Sequence, residues 1–149
     1  MRIALGCDHR GFKLKNIIAD YLRGKGHIVI DFGTFSSQSC DYPDYIYPAA
    51  LSVKEKKADR AIVICYTGVG SSITANKVRS IRAALVFNIK MAVYSRRHNN
   101  SNVLVLGAGF VKKDYAVRLV ARWLNTAFDG GRHQRRLRKI QKIEESKDV

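Results

Sequence analysis

Apolar residues recur along this chain in two alternating periods. The runs Ile3–Cys7, His27–Phe32, Ala61–Ile64, Ile81–Val86 and Val103–Leu106 are apolar almost throughout, the pattern of strands covered on both faces. Between them, apolar positions return at helical spacing. Phe12, Leu14, Ile17, Ile18, Tyr21 and Leu22 predict a helix over Phe12–Leu22, ended by Gly24 and Gly26. Further helices are predicted over Tyr47–Lys57, Ala92–Arg97 and Asp114–Ala127, the last strongly amphipathic around Trp123, while Phe35–Asp44 reads as a polar loop closing on Tyr42-Pro43. This alternation, with no internal repeat, predicts a parallel α/β sheet with helices on both faces. Ligands of such sheets bind beyond the C-terminal ends of the strands. Cys7-Asp8-His9, Cys65–Gly70 and Gly107–Gly109 all fall there.

Gly130-Gly131 interrupts the pattern and divides an α/β domain, 1–129, from a basic extension, 130–149. Arg132–Glu145 carries Leu137, Ile140 and Ile143 as a thin apolar stripe. That predicts a helix that docks on another surface, such as a second copy of the chain, rather than one that folds alone. The last residues, 146–149, are expected to fray. A chain of 149 residues with 46% hydrophobic content is long enough to bury a core. No apolar run approaches the ~20 residues of a membrane helix, and the N-terminus enters a strand pattern without a signal peptide. The three cysteines, Cys7, Cys40 and Cys65, form no CxxC pair, so reduced thiols in the cytoplasm are expected.

The net charge of +15 implies anionic partners: phosphorylated metabolites, nucleic acid or an anionic surface. The charge is uneven. No Asp or Glu lies between Asp59 and Asp114, so a site in that window has a positive field and no carboxylate base of its own.

The window contains the most informative stretch, the apolar run Ala61–Ile64 followed by Cys65-Tyr66-Thr67-Gly68-Val69-Gly70-Ser71-Ser72 and then helix-like Ile73–Lys77. A strand-to-helix turn of this kind aims backbone N–H groups at one spot, beside the positive end of the helix. A thiol at the strand tip shares that field, which favours the thiolate. A base and an oxyanion cradle would then occupy one small site, into which Thr67 can donate a hydrogen bond. The bland alternatives are a structural turn and an inert buried thiol. A dinucleotide reading is weak, because Ile73 stands at the third glycine position and no acidic residue follows at the expected distance; no P-loop is present. Cys7-Asp8-His9 suggests a metal site, but consecutive residues leaving a strand point to alternate sides. Asp8 and His9 reaching a polar ligand is the sharper reading, while Cys7 and Cys40 read as structural and His27 as surface. His98, in Arg97-His98-Asn99, is the best proton shuttle available, although a lone histidine there is more often a surface cap. Arg132 and Arg136, four apart on a helix, share a face and can grip a phosphate, against a merely solvated basic face.

Taken together, Gly6-Cys7-Asp8-His9-x-Gly11, Asp31-Phe32-Gly33-Thr34 with Asp41-Tyr42-Pro43, Thr67-Gly68-Val69-Gly70 with Ala75-Asn76-Lys77, Arg82-Ala83, His98-Asn99, Asn102-Val103-Leu104 and Gly130-Gly131-Arg132-His133 resemble the type B ribose-5-phosphate isomerase family, which includes galactose-6-phosphate isomerase subunits. The resemblance spans nearly the whole chain. It implies a Rossmann-like three-layer α/β/α sandwich with a five-stranded parallel sheet, a homodimer or tetramer with shared active sites, and aldose–ketose isomerisation without metal or other cofactor. Cys65 is then the base between C1 and C2, Thr67 assists at the substrate oxygens, and the N–H groups of Gly68, Val69 and Gly70 stabilise the enediolate. His98 opens the sugar ring and Asp8 positions its hydroxyls. Tyr42 and Asn99 line the site, and Ser71 stands where one branch of the family has a glutamate base. His9, Arg132 and Arg136 bind the phosphate, the arginines from a partner subunit on which the C-terminal helix packs.

Two positions depart from the resemblance. Tyr66 stands where the family usually has glycine and narrows the site; Gly109 stands where many members have an arginine near the phosphate, with Lys112 or Lys113 as substitutes. Two other functions are compatible with the sequence. One is isomerisation of a six-carbon sugar phosphate such as allose or galactose 6-phosphate. The other is nucleic-acid binding by the basic surface, disfavoured because the tail carries no interleaved aromatics and no recognised binding motif.

Overall fold

Five parallel strands form one sheet in the order β2-β1-β3-β5-β4 in the computed structural model, which describes residues 1–146. The elements follow one another as β1 (Arg2–Cys7), α1 (Phe12–Gly24), β2 (Ile28–Asp31), α2 (Pro43–Lys54), β3 (Arg60–Cys65), α3 (Val69–Ala75), β4 (Ala83–Leu85), α4 (Ile89–Arg97), β5 (Val103–Gly107), α5 (Lys113–Leu124) and α6 (Arg132–Glu145). The alternating α/β pattern therefore builds the expected three-layer sandwich. The strands are apolar throughout because both faces are covered. Ile3, Leu5, Ile62, Ile64, Leu104 and Leu106 face one core, closed by α1, α4 and α5 with Trp123 buried. Ala4, Ala61, Val63, Val103 and Val105 face the other, closed by α2 and α3.

Strand order reverses at β1, between β2 on one side and β3 on the other. A crevice opens at such a switch point because the connections leave β1 and β3 toward opposite faces. Asp8 and Cys65 stand at the tips of these two strands.

Local boundaries differ from the sequence reading in informative ways. Helix α2 begins at Pro43, inside the expected loop, because a proline at the first helical position loses only an N–H that has no helical partner anyway. Helix α3 begins at Val69 rather than near Ile73, directly after Gly68 in the left-handed conformation (φ 79°). The positive φ favours glycine at this position, and a Cβ there would also have to displace Leu85 Cδ1, which it would meet at 2.4 Å. Helix α5 stops at Leu124.

Helix α6 lies partly on its own chain. His133 and Leu137 are buried, and Glu144 accepts the Ser80 N–H at 3.1 Å. Ile140 and Ile143 remain 49% and 57% exposed, so the stripe that the sequence pattern reserves for another surface is half used. Ser146, expected to fray, donates its hydroxyl to Ile143 O at 3.0 Å; the rest of that segment, 147–149, lies outside the described residues.

Buried cations hold the connections. Lys15, fully buried, pairs with Asp31 at 2.7 Å and donates to Thr34 O at 2.7 Å, pinning the loop after β2 onto α1. Arg96 donates to Thr126 O, Asn100 Oδ1 and Ser101 O. Burial, together with the charges of Arg60 and Arg82, lowers its pKa to about 10. Part of the basic excess therefore serves to clamp backbone carbonyls rather than to face an anion.

Candidate active site

A groove of about 400 Å³ opens at the strand tips, lined by Asp8, Tyr42, Cys65, Tyr66, Thr67, Val69, Gly70 and Ile73. The β1 tip supplies Asp8. Its Oδ1 accepts the N–H groups of Arg10 (2.9 Å) and Gly11 (3.1 Å), which turns the chain into α1 and leaves Oδ2 for a ligand. The fold thus brings a carboxylate to a stretch of sequence that has none. The β3 tip supplies Cys65, 5% exposed at the groove floor. Cys7 is a different thiol: burial pushes it up to about 12, so it stays protonated and inert.

Thr67 Oγ1 accepts the Val69 N–H at 3.1 Å, which fixes the hydroxyl oxygen and leaves its proton to donate. Of the three N–H groups expected to form a cradle, that of Val69 is therefore engaged within the turn. The N–H groups of Gly70 and Ser71 belong to the first turn of α3, where helical geometry offers no acceptor. A Cβ at Gly70 would lie 2.5 Å from Tyr42 Cζ, so the absence of a side chain lets the Tyr42 ring close over the helix start. Ser71 is buried, and its hydroxyl has no hydrogen-bond partner among the described residues. Its side chain does not line the groove. His9 stands beside the tip, where the Cys40 N–H donates to Nδ1 at 3.2 Å; in the neutral ring this leaves Nε2 as the donor.

The remaining predicted residues lie elsewhere. His98 caps the C-terminus of α4, which runs antiparallel to the strands and ends beside the start of β5. Cys65 pairs with Gly107 at the far end of β5, about 13 Å away at ~3.3 Å per residue. His98, Asn99, Arg132 and Arg136 therefore form a second cluster at the N-terminal edge of the sheet. The His98 ring stacks on His133 with centroids 4.1 Å apart and planes 9° apart. Arg97 pairs with Asp129 at 3.1 Å beneath them. His133 is held below the ordinary histidine value, first by burial and then by the positive charges of His98, Arg132 and Arg136. Arg132 and Arg136 stand exposed on α6 on either side of it.

His98, Asp129 and His133 place candidate ligand atoms within 4.8 Å of one another. The two rings are parallel, however, so their nitrogen lone pairs run side by side rather than converging on an ion. The arrangement suits proton exchange and anion binding better than metal coordination.

A family model described as Ribose/Galactose Isomerase matches residues 3–140. The chain belongs to the ribose/galactose isomerase family. Ribose-5-phosphate isomerase B of Escherichia coli (strain K12) is 45% identical over 147 residues, covering 99% of each chain. Two solved structures superpose closely. Ribose-5-phosphate isomerase B of Clostridium thermocellum has a TM-score of 0.97 at 50% identity, covering 98% of this chain and 99% of that one. Ribose-5-phosphate isomerase B of Mycoplasma genitalium, with bound ribulose-5-phosphate, has a TM-score of 0.93 at 41% identity, covering 97% and 96%.

Within the family framework, several motif residues prove structural. Asn76 exchanges hydrogen bonds with Ala83 (Nδ2 to O, 3.0 Å; N–H to Oδ1, 2.9 Å) and so completes the edge of β4. Asn102 holds the segment that leads into β4, accepting the Arg82 N–H at 2.7 Å and donating to Ser80 O at 2.9 Å. The sequence reading also missed His133, signalled only by its place in Gly130-Gly131-Arg132-His133, and the contact between Tyr66 and Gly109, which no local pattern signals.

Proposed function

We propose that this chain interconverts ribose 5-phosphate and ribulose 5-phosphate without a metal or other cofactor. The observation that carries the reading is the strand-tip groove, with Cys65 at its floor and Asp8 and Thr67 on its walls, in a chain aligned end to end with enzymes named for this reaction. An aldose–ketose isomerisation needs a base, a cradle for the enediolate and a route for a hydroxyl proton. The Cys65 sulfur takes the proton from C2 of the open-chain aldose. An enediolate forms across C1 and C2, facing the N–H groups of Gly70 and Ser71. Thr67 passes the proton on O2 to O1. Cys65 then returns its proton to C1, which completes the ketose with no net gain or loss of atoms. Asp8 Oδ2 and Tyr42 hold the sugar hydroxyls, and His9 Nε2–H approaches the phosphate.

The second cluster completes the site from a second copy of the chain. His98 and Asn99 lie a sheet-length from Cys65, so a single chain cannot apply both to one sugar. In a symmetric homodimer each strand-tip groove would meet the partner copy's second cluster, where His98 opens the sugar ring and the exposed pair Arg132 and Arg136 grips the phosphate. The half-exposed stripe of α6, Ile140 and Ile143, is the natural surface for that association.

The deciding measurement is turnover of ribose 5-phosphate by the purified protein with EDTA present, alongside Cys65→Ala. Activity should persist in EDTA and fall at least about 100-fold in the variant, which retains its circular dichroism spectrum. Wild type that turns over allose 6-phosphate but not ribose 5-phosphate would overturn the five-carbon assignment, and an active Cys65→Ala would overturn the base.

A further inference from the structure

We propose that Arg10 is a phosphate-binding residue of the strand-tip groove and that Tyr66 is the positioning residue that holds it there. This inference deepens the isomerase reading and rests on it. Tyr66 is 48% exposed, and its ring forms one wall of the groove. The ring can lie there because position 109 is glycine. A Cβ at Gly109 would stand 2.3 Å from Tyr66 Cε2, 2.5 Å from Cζ and 2.8 Å from Cδ2, closer than any side chain tolerates. The backbones are tied at the same point, with the Gly109 N–H donating to Tyr66 O at 2.9 Å. Phe110 supports the ring edge-on, with centroids 5.9 Å apart, and Phe87 supports Phe110 at 6.2 Å. The two departures from the family pattern, Tyr66 and Gly109, are thus one structural unit: the tyrosine ring fills the space a side chain at 109 would take.

The ring carries a cation. The Arg10 guanidinium carbon lies 5.2 Å from the Tyr66 centroid. A cation–π contact of this kind consumes none of the guanidinium N–H donors, which stay available to the oxygens of a phosphate. No carboxylate among the described residues forms an ion pair with Arg10. The shallow depression it shares with Lys13 and Lys113 has no acidic residue in its lining. An exposed arginine fixed at the rim of a sugar-phosphate groove, among like charges, lacks an anionic partner, and the substrate phosphate supplies one. A cation that the family pattern places at 109 is here delivered from the turn between β1 and α1 by way of Tyr66.

The test pairs kinetics with a probe that does not depend on turnover. In Arg10→Ala, KM for ribose 5-phosphate should rise about 10- to 100-fold with kcat little changed, as expected for loss of a hydrogen bond to a charged group. Inorganic phosphate, titrated calorimetrically into the same proteins, should weaken by a similar factor. Tyr66→Phe keeps the ring that holds Arg10 and should restore most of the phosphate affinity that Tyr66→Leu loses. Tyr66→Leu should reproduce much of the Arg10→Ala defect, and combining the two should add little. Unchanged KM and unchanged phosphate affinity in Arg10→Ala would overturn the inference, as would full additivity of Arg10→Ala with Tyr66→Leu. If wild type does not isomerise ribose 5-phosphate, the phosphate titration still decides: weaker binding in Arg10→Ala supports the role of Arg10, and equal binding refutes it.

Discussion

A mixed dimer offers the sharpest test of the composite site. The perturbation places Cys65→Ala in one copy of the chain and His98→Asn in the other. Each variant alone should be nearly inactive, because every site in its homodimer carries a lesion. The two residues lie at opposite ends of the sheet, about 13 Å or more apart at ~3.3 Å per strand residue. In the proposed two-fold arrangement, each site would take Cys65 from one copy and His98 from the other. In the mixed dimer one site then holds both lesions and the other holds none. Purified mixed dimers should recover about half of wild-type activity, and an unfractionated equal mixture about a quarter, since random pairing makes about half of the dimers mixed. Coexpression with two different affinity tags, sequential purification and a ribose 5-phosphate turnover assay give the number directly. Mixed dimers no more active than their parents would refute cross-subunit assembly, because Cys65 and His98 would then have to act within one chain.

Three further outcomes follow from the geometry. Lys15→Met should lower stability in urea by about 3–5 kcal/mol, because Asp31 would lose its buried partner; a loss under about 1 kcal/mol would mean the pair is not structurally required. Gly70→Ala should lower kcat/KM by up to about 100-fold, because the added Cβ would stand 2.5 Å from Tyr42 Cζ and displace that ring, and Tyr42→Ala in the same chain should remove most of the additional loss. Lowering the pH should loosen α6. His133 has a folded value below its ordinary 6.5, so the unfolded form binds more protons between the two values, and stability falls as pH drops through that window. Protection factors of the α6 amides, taken relative to the intrinsic exchange rate at each pH, should therefore fall as pH drops below about 6.5, and His133→Phe should flatten the response.

Much of the architecture was readable before any contact was known. Short continuous apolar runs rich in Ile and Val, bounded by turn residues, read as strands buried on both faces, and the helical stripes between them point to parallel connections. Hence the layers, the strand tips and the position of Cys65 beside a glycine turn followed from local pattern. Boundaries were less legible. Tyr42-Pro43 looked like the end of a loop because proline signals both turns and helix starts, and Val69 looked like loop because glycines flank it.

The sequence by itself determined the fold class, the family and the candidate chemistry, because these depend on residue type and spacing along one element. Only tertiary structure decided what met what. It carried Asp8 to a stretch that has no carboxylate of its own, because parallel pairing sets the tips of β1 and β3 side by side. It sent His98 to the opposite end of the sheet, because a crossover helix must run back before the next parallel strand begins. It assigned Asn76 to the edge of β4 and Asn102 to the segment leading into it, where backbone groups need partners that no neighbouring strand supplies. And it joined Tyr66 to Gly109, because steric exclusion acts between atoms in contact, however far apart their residues lie in the chain.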